Sequence, residues 1–322
     1  MDVLESKEAA FAVTMVRQAA QLTRRIQTSM ALEGLTKSDF SPVTVADYAV
    51  QAIVGRALAG AFPAEPLVGE ESSEPLRTPE GARTLDVVTR FVSKITGGAD
   101  TEEVCAWIDL GAGETADCFW TLDPLDGTKG YLRGGQYAVA LARVEHGQVT
   151  LGVLGCPNLG TAAELEVCGL GALVVAARGH GAWCAPLDAE DTFQPMRVSE
   201  AEDLSQARIL RSFEPGHTNA GEIEALAAAL GVTAPPVLMD SQAKYAVLSA
   251  GGAEMLFRFL SPKAPDYKEK IWDQAAGSII LEEAGGRVTD LRGAPLDFRT
   301  GRTLANNAGL FASNGRIHDR VL

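Results

Sequence analysis

Apolar residues at Ala9, Val13, Val16, Ala20 and Ile26 recur at helical spacing, so residues 5–32 are expected to form a helix with one buried face. A second helix should begin near Thr44 and run through AVQAIVGRALAGAF, after which PLVGEES reads as a short buried strand ending in a polar turn. Residues 73–104 are charged and rich in Thr and Gly, which suggests a surface excursion with a helix over 82–94. FWTLD is a strand feeding the loop PLDGTKG, and QYAVALARVEHGQVTLGVLGCP predicts two strands about a turn at His146-Gly147. GALVVAARGHGAWCAP repeats that hairpin around Arg178 to Gly181. Beyond about residue 158 the order becomes strand (ARILRSF), helix (219–230), strand (VLMDS) and helix (QAKYAVLSAG). Strand EMLFRF, helix WDQAAGSIILEEA and strand RVTD complete it. Hairpins mixed with alternating helices argue against a purely parallel doubly wound sheet. They fit an α+β fold of stacked, mostly antiparallel sheets with helix layers, divided into an N-terminal part over 1–157 and a C-terminal part over 158–322.

Composition narrows the partners. Of 322 residues, 46% are hydrophobic and 22% charged, enough for a substantial core. Forty-two acidic against 28 basic residues leave a net charge of −14, which disfavours nucleic-acid polymers and anionic membranes. A small anionic ligand then needs bound cations or a local basic pocket. No apolar run approaches about 18 residues, so no membrane span is expected. Five cysteines without CxxC spacing point to a reducing compartment. The start MDVLESKEAAFAV lacks the layout of a secretory or transit segment, so a cytoplasmic location is expected, with an organelle open if a leader was removed.

The chemistry concentrates in DPLDGTKG at 123–130. Asp123 and Asp126 flank a stiffening Pro, and Gly127 permits close backbone approach. Two carboxylates three residues apart at a strand end repel each other unless a cation lies between them, as in an oxygen-ligand Mg²⁺ site. A lone DxxD more often caps a turn, and Glu70-Glu71 alone reads as a solvated turn. Asp273 alone reads as a first-turn carboxylate favoured by the helix dipole. Asp47, three residues after Thr44, has the spacing of a capping box. In combination, all four acidic sites fall at strand ends or helix starts, where they can converge on one cleft.

SPVTVADY, VGEES, DPLDGTKGYLRGGQYAV and KIWDQAAG together resemble the Mg²⁺-dependent, lithium-sensitive phosphatase superfamily of inositol monophosphatases, fructose bisphosphatases and 3′(2′),5′-bisphosphate nucleotidases. The resemblance runs from about residue 10 to the end and implies a layered αβαβα sandwich. After DGT the chain continues Lys129-Gly130-Tyr131-Leu132-Arg133-Gly134, which is similar to the bisphosphate nucleotidase branch. MDSQAKYAVLSAG, Arg258, YKEKIWD and RSFEPGH point the same way. That branch removes the 3′-phosphate of 3′-phosphoadenosine 5′-phosphate (PAP), releasing AMP, and often accepts the sulfonyl donor PAPS.

The resemblance implies that Glu70, Asp123, the Leu125 carbonyl, Asp126 and Asp273 hold two or three Mg²⁺ ions. It makes Asp47 and Thr128 a relay, the Thr hydroxyl passing a proton from the attacking water to Asp47. Gly127, Thr128, His217, Ser241, Lys244, Arg258 and Asp273 are the implied substrate contacts, the cations meeting the 5′-phosphate. A sibling sugar or inositol phosphatase, acting for example on inositol 1,4-bisphosphate, would share the metals and differ in the distal pocket. A silent nucleotide sensor is the reading from another class. The expected partner is a small nucleotide bisphosphate, bound by a monomer or weak dimer.

Overall fold

The computed structural model describes residues 5–32, 41–160, 171–189, 193–213, 220–261 and 264–322. Helix α1 (Lys7–Leu32) buries Ala9, Val13, Val16, Ala20 and Ile26, the face expected from their spacing. Helix α2 spans Pro42–Ala61, starting two residues earlier than Thr44. Ser41 is its N-cap and proline occupies the first turn, where its missing N–H costs nothing. Thr44 is therefore already helical, and Asp47 does not close a capping box.

Strand β1 (Leu67–Gly69) leads into a 3₁₀ turn, Glu74–Arg77, and helix α3 (Ala82–Thr96). Helix α4 (Thr101–Asp109) was not anticipated, although Asp100 and Glu103 cap each other's backbone N–H groups in a capping box. Val88, Phe91, Val92, Val104 and Ile108 are buried in the main core, so residues 73–104 are more than a surface excursion.

Strand β2 (Cys118–Asp126), helix α5 (Thr128–Arg133) and strands β3 (Ala138–Glu145) and β4 (Gln148–Cys156) follow. His146 (φ 49°) and Gly147 (φ 78°) make the tight turn joining β3 to β4. Strands β5 (Ala172–Ala177), β6 (Ala182–Pro186) and β7 (Gln194–Pro195) complete a seven-stranded sheet in sequence order. Only β1 is parallel to its neighbour; the other pairs are antiparallel.

Strand β8 (Ile209–Arg211), helix α6 (Ala220–Ala229), strand β9 (Val237–Leu238), helix α7 (Ala243–Ser249) and strand β10 (Met255–Arg258) come next. Helix α8 (Ala275–Glu283), strands β11 (Arg287–Thr289) and β12 (Leu310–Ser313) and the short α9 (His318–Val321) end the chain. These strands form a second sheet in the order β11-β12-β10-β8-β9.

Period-two alternation explains the layering. Trp120 and Leu122 of β2 point into the core shared with α1 and α2, while Phe119 points into the core shared with α7 and α8. Leu256 and Ala312 of the second sheet enter that same middle core, and Phe257 and Phe311 pack outward with Ile223 and Ile317. The result is helices, sheet, helices, sheet, helices, as expected for the αβαβα sandwich. Gly277 of α8 is needed in the middle layer, because a Cβ there would lie 2.1 Å from Cδ2 of Tyr245.

Candidate active site

The parallel pairing of β1 with β2 sets Gly69 opposite Leu122. Glu70, the next residue of one strand, therefore stands beside Asp123 of the other, and their carboxyl groups share a hydrogen bond. Between Asp123 and Asp126, β2 advances three residues while β3 advances only from Ala140 to Ala138. Pro124-Leu125 forms this bulge, which turns both acids toward one space. The Leu125 N–H donates to Asp123 Oδ1 at 3.1 Å, and the Gln242 N–H donates to Asp126 Oδ2 at 2.6 Å.

Gly127 then adopts φ 91° ahead of α5. A Cβ at this position would lie 2.8 Å from the Ser241 Cβ, so the glycine lets the two walls of the site approach. Asp273 arrives from the turn before α8. Ser241, itself at φ 66°, sits at the start of the α7 segment.

One cavity of about 350 Å³ is lined by Glu70, Asp123, Leu125, Asp126, Gly127, Thr128, Ser241, Lys244, Arg258 and Asp273. Of the expected residues, Asp47 is absent from that lining. It is buried in α2, close enough to Glu70, Glu71 and Asp123 for their charges to act on one another. His217 lies outside the described residues.

The cavity lining carries acids and cations that act on one another. Burial, followed by the charges of Glu70, Asp126 and Asp273, holds the Asp123 carboxyl far above the ordinary range. Burial and then Asp126 do the same to Asp273. Burial, Glu71 and Asp126 push Glu70 up to about 7. Asp126 is also raised by burial, but Lys244 and the Gln242 N–H oppose the effect. Buried carboxylates that repel one another are costly as bare anions.

Their donors are all hard oxygens, and among the described residues no His or Cys lines the cavity. That set suits Mg²⁺ rather than a soft metal. Among the described residues, no three His, Cys, Asp or Glu side chains already close around a single point. The acids surround the cavity instead of forming a tight cage.

Glu70 and Glu71 separate in role. Gln51 donates to the Glu71 carbonyl at 2.7 Å and accepts from its N–H at 2.9 Å, and the Glu71 side chain bonds Tyr48. Glu71 thus anchors the turn, and Glu70 is left to face the acids.

Among the cations, Lys244 is buried and donates to Ser212 Oγ and the Met239 carbonyl, both at 3.3 Å. Burial lowers its pKa to about 8, although Asp126 pulls the other way. Arg258 donates from Nη2 to Glu269 at 2.9 Å and from Nε at 3.4 Å. Gln274 donates to Glu269 at 2.8 Å and accepts from the Tyr245 hydroxyl at 2.7 Å. Glu269, Gln274 and Tyr245 had no assigned role from sequence. Their importance depends on pairing across distant segments, for which the chain carries no local signal.

The chain is 39% identical to a Schizosaccharomyces pombe 3′(2′),5′-bisphosphate nucleotidase, over 98% of this chain and 94% of that one. An Oryza sativa 3′(2′),5′-bisphosphate nucleotidase is also 39% identical, over 98% of this chain and 92% of its own. Among solved structures, CysQ from Bacteroides thetaiotaomicron superposes with a TM-score of 0.64 at 20% identity, covering 96% of this chain and 97% of that one. A Thermotoga maritima IMPase gives a TM-score of 0.63 at 22% identity, covering 98% and 95%. The inositol monophosphatase family profile matches residues 4–322. Strand ends, bulge and helix start thus all fall within one continuous likeness, and the chain belongs to the inositol monophosphatase family.

Proposed function

We propose that the chain hydrolyses the 3′-phosphate of PAP to give AMP and phosphate, with PAPS a further substrate. The observation that carries this reading is one cavity lined both by a cluster of acids and by two cations, the buried Lys244 and the partly buried Arg258. A nucleotide with two phosphates could engage both sets of groups, and the relatives above are named 3′(2′),5′-bisphosphate nucleotidase.

Glu70, Asp123, Asp126, Asp273 and the Leu125 carbonyl would hold two or three Mg²⁺ ions. Bound there, Mg²⁺ supplies Lewis acidity toward the phosphate and lowers the pKa of water. Thr128 lines the cavity, where its hydroxyl takes up the proton of the attacking water and gives it to the Asp47 carboxylate. Asp47 suits that role because burial, Glu71 and Glu70 raise its proton affinity. Lys244, Arg258 and Ser241 hold the 5′-phosphate, and Gly127 leaves room for the 3′-phosphate beside the acids. Nothing in this scheme requires a nucleophilic side chain.

The test is phosphate release in Mg²⁺ buffer from PAP, PAPS, AMP, inositol 1-phosphate and inositol 1,4-bisphosphate. PAP is expected to turn over fastest among the non-sulfonyl substrates and AMP to remain intact. Faster turnover of either inositol phosphate than of PAP would overturn the assignment.

A further inference from the structure

Arg302 lies outside the cavity lining, yet it touches the immediate neighbours of two cavity acids. Its Nη2 donates to the carbonyl of Gly69, the residue before Glu70, and its Nη1 donates to the Gly111 carbonyl at 3.3 Å. That same Gly111 carbonyl accepts the Gly69 N–H at 2.8 Å, so Arg302 and the end of β1 share one anchor. On its other side the guanidinium packs 4.9 Å from the centre of the Trp272 ring, the residue before Asp273.

The backbone around Arg302 is tied to the same region. The Ile271 N–H donates to the Arg302 carbonyl at 3.2 Å, and the Leu304 N–H donates to the Glu269 carbonyl at 2.9 Å. Lys270 and Thr303 form a bridge between those two bonds. The segment carrying Arg302 therefore moves with the one carrying Asp273, while its side chain grips the strand carrying Glu70.

We infer that Arg302 is a positioning residue that fixes the spacing of Glu70 and Asp273, and so the affinity of the acidic wall for divalent cations. The inference rests on the metal reading proposed above. Outer groups that orient metal ligands typically contribute about 10–100-fold to metal affinity. Arg302 also carries a charge of the same sign as the cation, and this alone would weaken binding. The two effects separate by substitution: R302K keeps the charge and loses the planar fork, whereas R302Q loses the charge and keeps one amide donor.

Mn²⁺ binding to the full chain, followed by the spin-resonance signal of the free ion, reads affinity without turnover. For R302K the expected result is about tenfold weaker Mn²⁺ binding. Turnover should approach the parent's at saturating Mg²⁺, with KM for PAP unchanged. Affinity within twofold of the parent would overturn the inference. If R302K does not fold, R302Q decides: weaker binding, against its charge effect, supports positioning, and equal or tighter binding overturns it. Failure of the parent itself to bind Mn²⁺ would overturn the metal reading, and this inference with it.

Discussion

Lys244→Met isolates the cationic wall of the cavity. Lys244 is 5% exposed, and its ammonium's two hydrogen bonds, at 3.3 Å each, are long. Burial brings its pKa from 10.5 to about 8, a drop equivalent to about 3 kcal/mol of disfavoured charge. Replacement by an apolar side chain of similar length should therefore leave stability within about 1 kcal/mol of the parent or raise it. Binding responds differently. A unit charge about 4 Å from a phosphate, at an effective dielectric constant of about 20, is worth about 4 kcal/mol per unit of phosphate charge. After desolvation is offset, about 2–3 kcal/mol should remain, or about 30–150-fold in kcat/KM. Removing Lys244 also deprives Asp126 of a nearby cation, which affects every substrate. The informative quantity is thus a ratio: kcat/KM on PAP against kcat/KM on 3′-AMP, which has the scissile ester but lacks the 5′-phosphate. The ratio should collapse by about 30-fold or more while thermal denaturation stays near the parent's. Equal losses on both substrates would refute the assignment of Lys244 to the distal phosphate.

Five further substitutions probe other parts of the molecule. Asp47→Ala and Thr128→Ala should each lower kcat by about 10²–10⁴-fold while Mn²⁺ binding persists, and Asp126→Ala should lose both; full activity in the Asp47 variant would remove the relay. Gly127→Ala forces φ 91° on a residue with a Cβ, placed 2.8 Å from Ser241, and should cost about 2 kcal/mol in urea unfolding together with at least tenfold in turnover. His318 is buried, 2.9 Å from Ser313 Oγ and 3.0 Å from Thr289 Oγ1, and burial followed by the Arg287 charge takes its pKa down to about 4. The unfolded chain then binds more protons between about pH 6.5 and 4, so this histidine's contribution is present above pH 6.5 and is lost on acidification, up to about 3 kcal/mol. Urea titrations at pH 7.5 and 5.0 should show a smaller pH difference for His318→Gln than for the parent, and an unchanged difference would count against the reasoning.

What could be read from the chain divides by range. That Glu70, Asp123, Asp126 and Asp273 line one cavity was not legible from each alone, since singly they read as a solvated turn, a turn cap or a first-turn carboxylate; the combination of motifs and the resemblance it carries led to the expectation that they converge. The hairpin at His146-Gly147 was legible because its turn signal is local. Helix α4 was missed although Asp100 and Glu103 carried a start signal, because the Thr- and Gly-rich surroundings outweighed it. The start of α2 was misplaced because Thr44 looked like a cap, while the proline two residues earlier had already fixed the first turn. Glu269, Gln242 and Arg302 could not have been assigned by any local rule. Gln242, for example, joins the Trp272 carbonyl at 3.0 Å and the Gly277 N–H at 3.1 Å, contacts that exist only once α7 and α8 have packed.

The bulged, partly parallel corner of the first sheet has a consequence for how such a protein can change. The acidic side of the cavity is framed by main-chain pairing of β1, β2 and β3, where any slip of register would scatter the acids at once. The cations and Ser241 are supplied instead as single side chains on a turn, a short helix and one strand tip. On the proposed function, substitutions there would exchange one leaving molecule for another without redrawing the hydrogen-bond ladder that holds the acids. Selectivity in this architecture is therefore the cheap property to alter, and the reaction itself the expensive one.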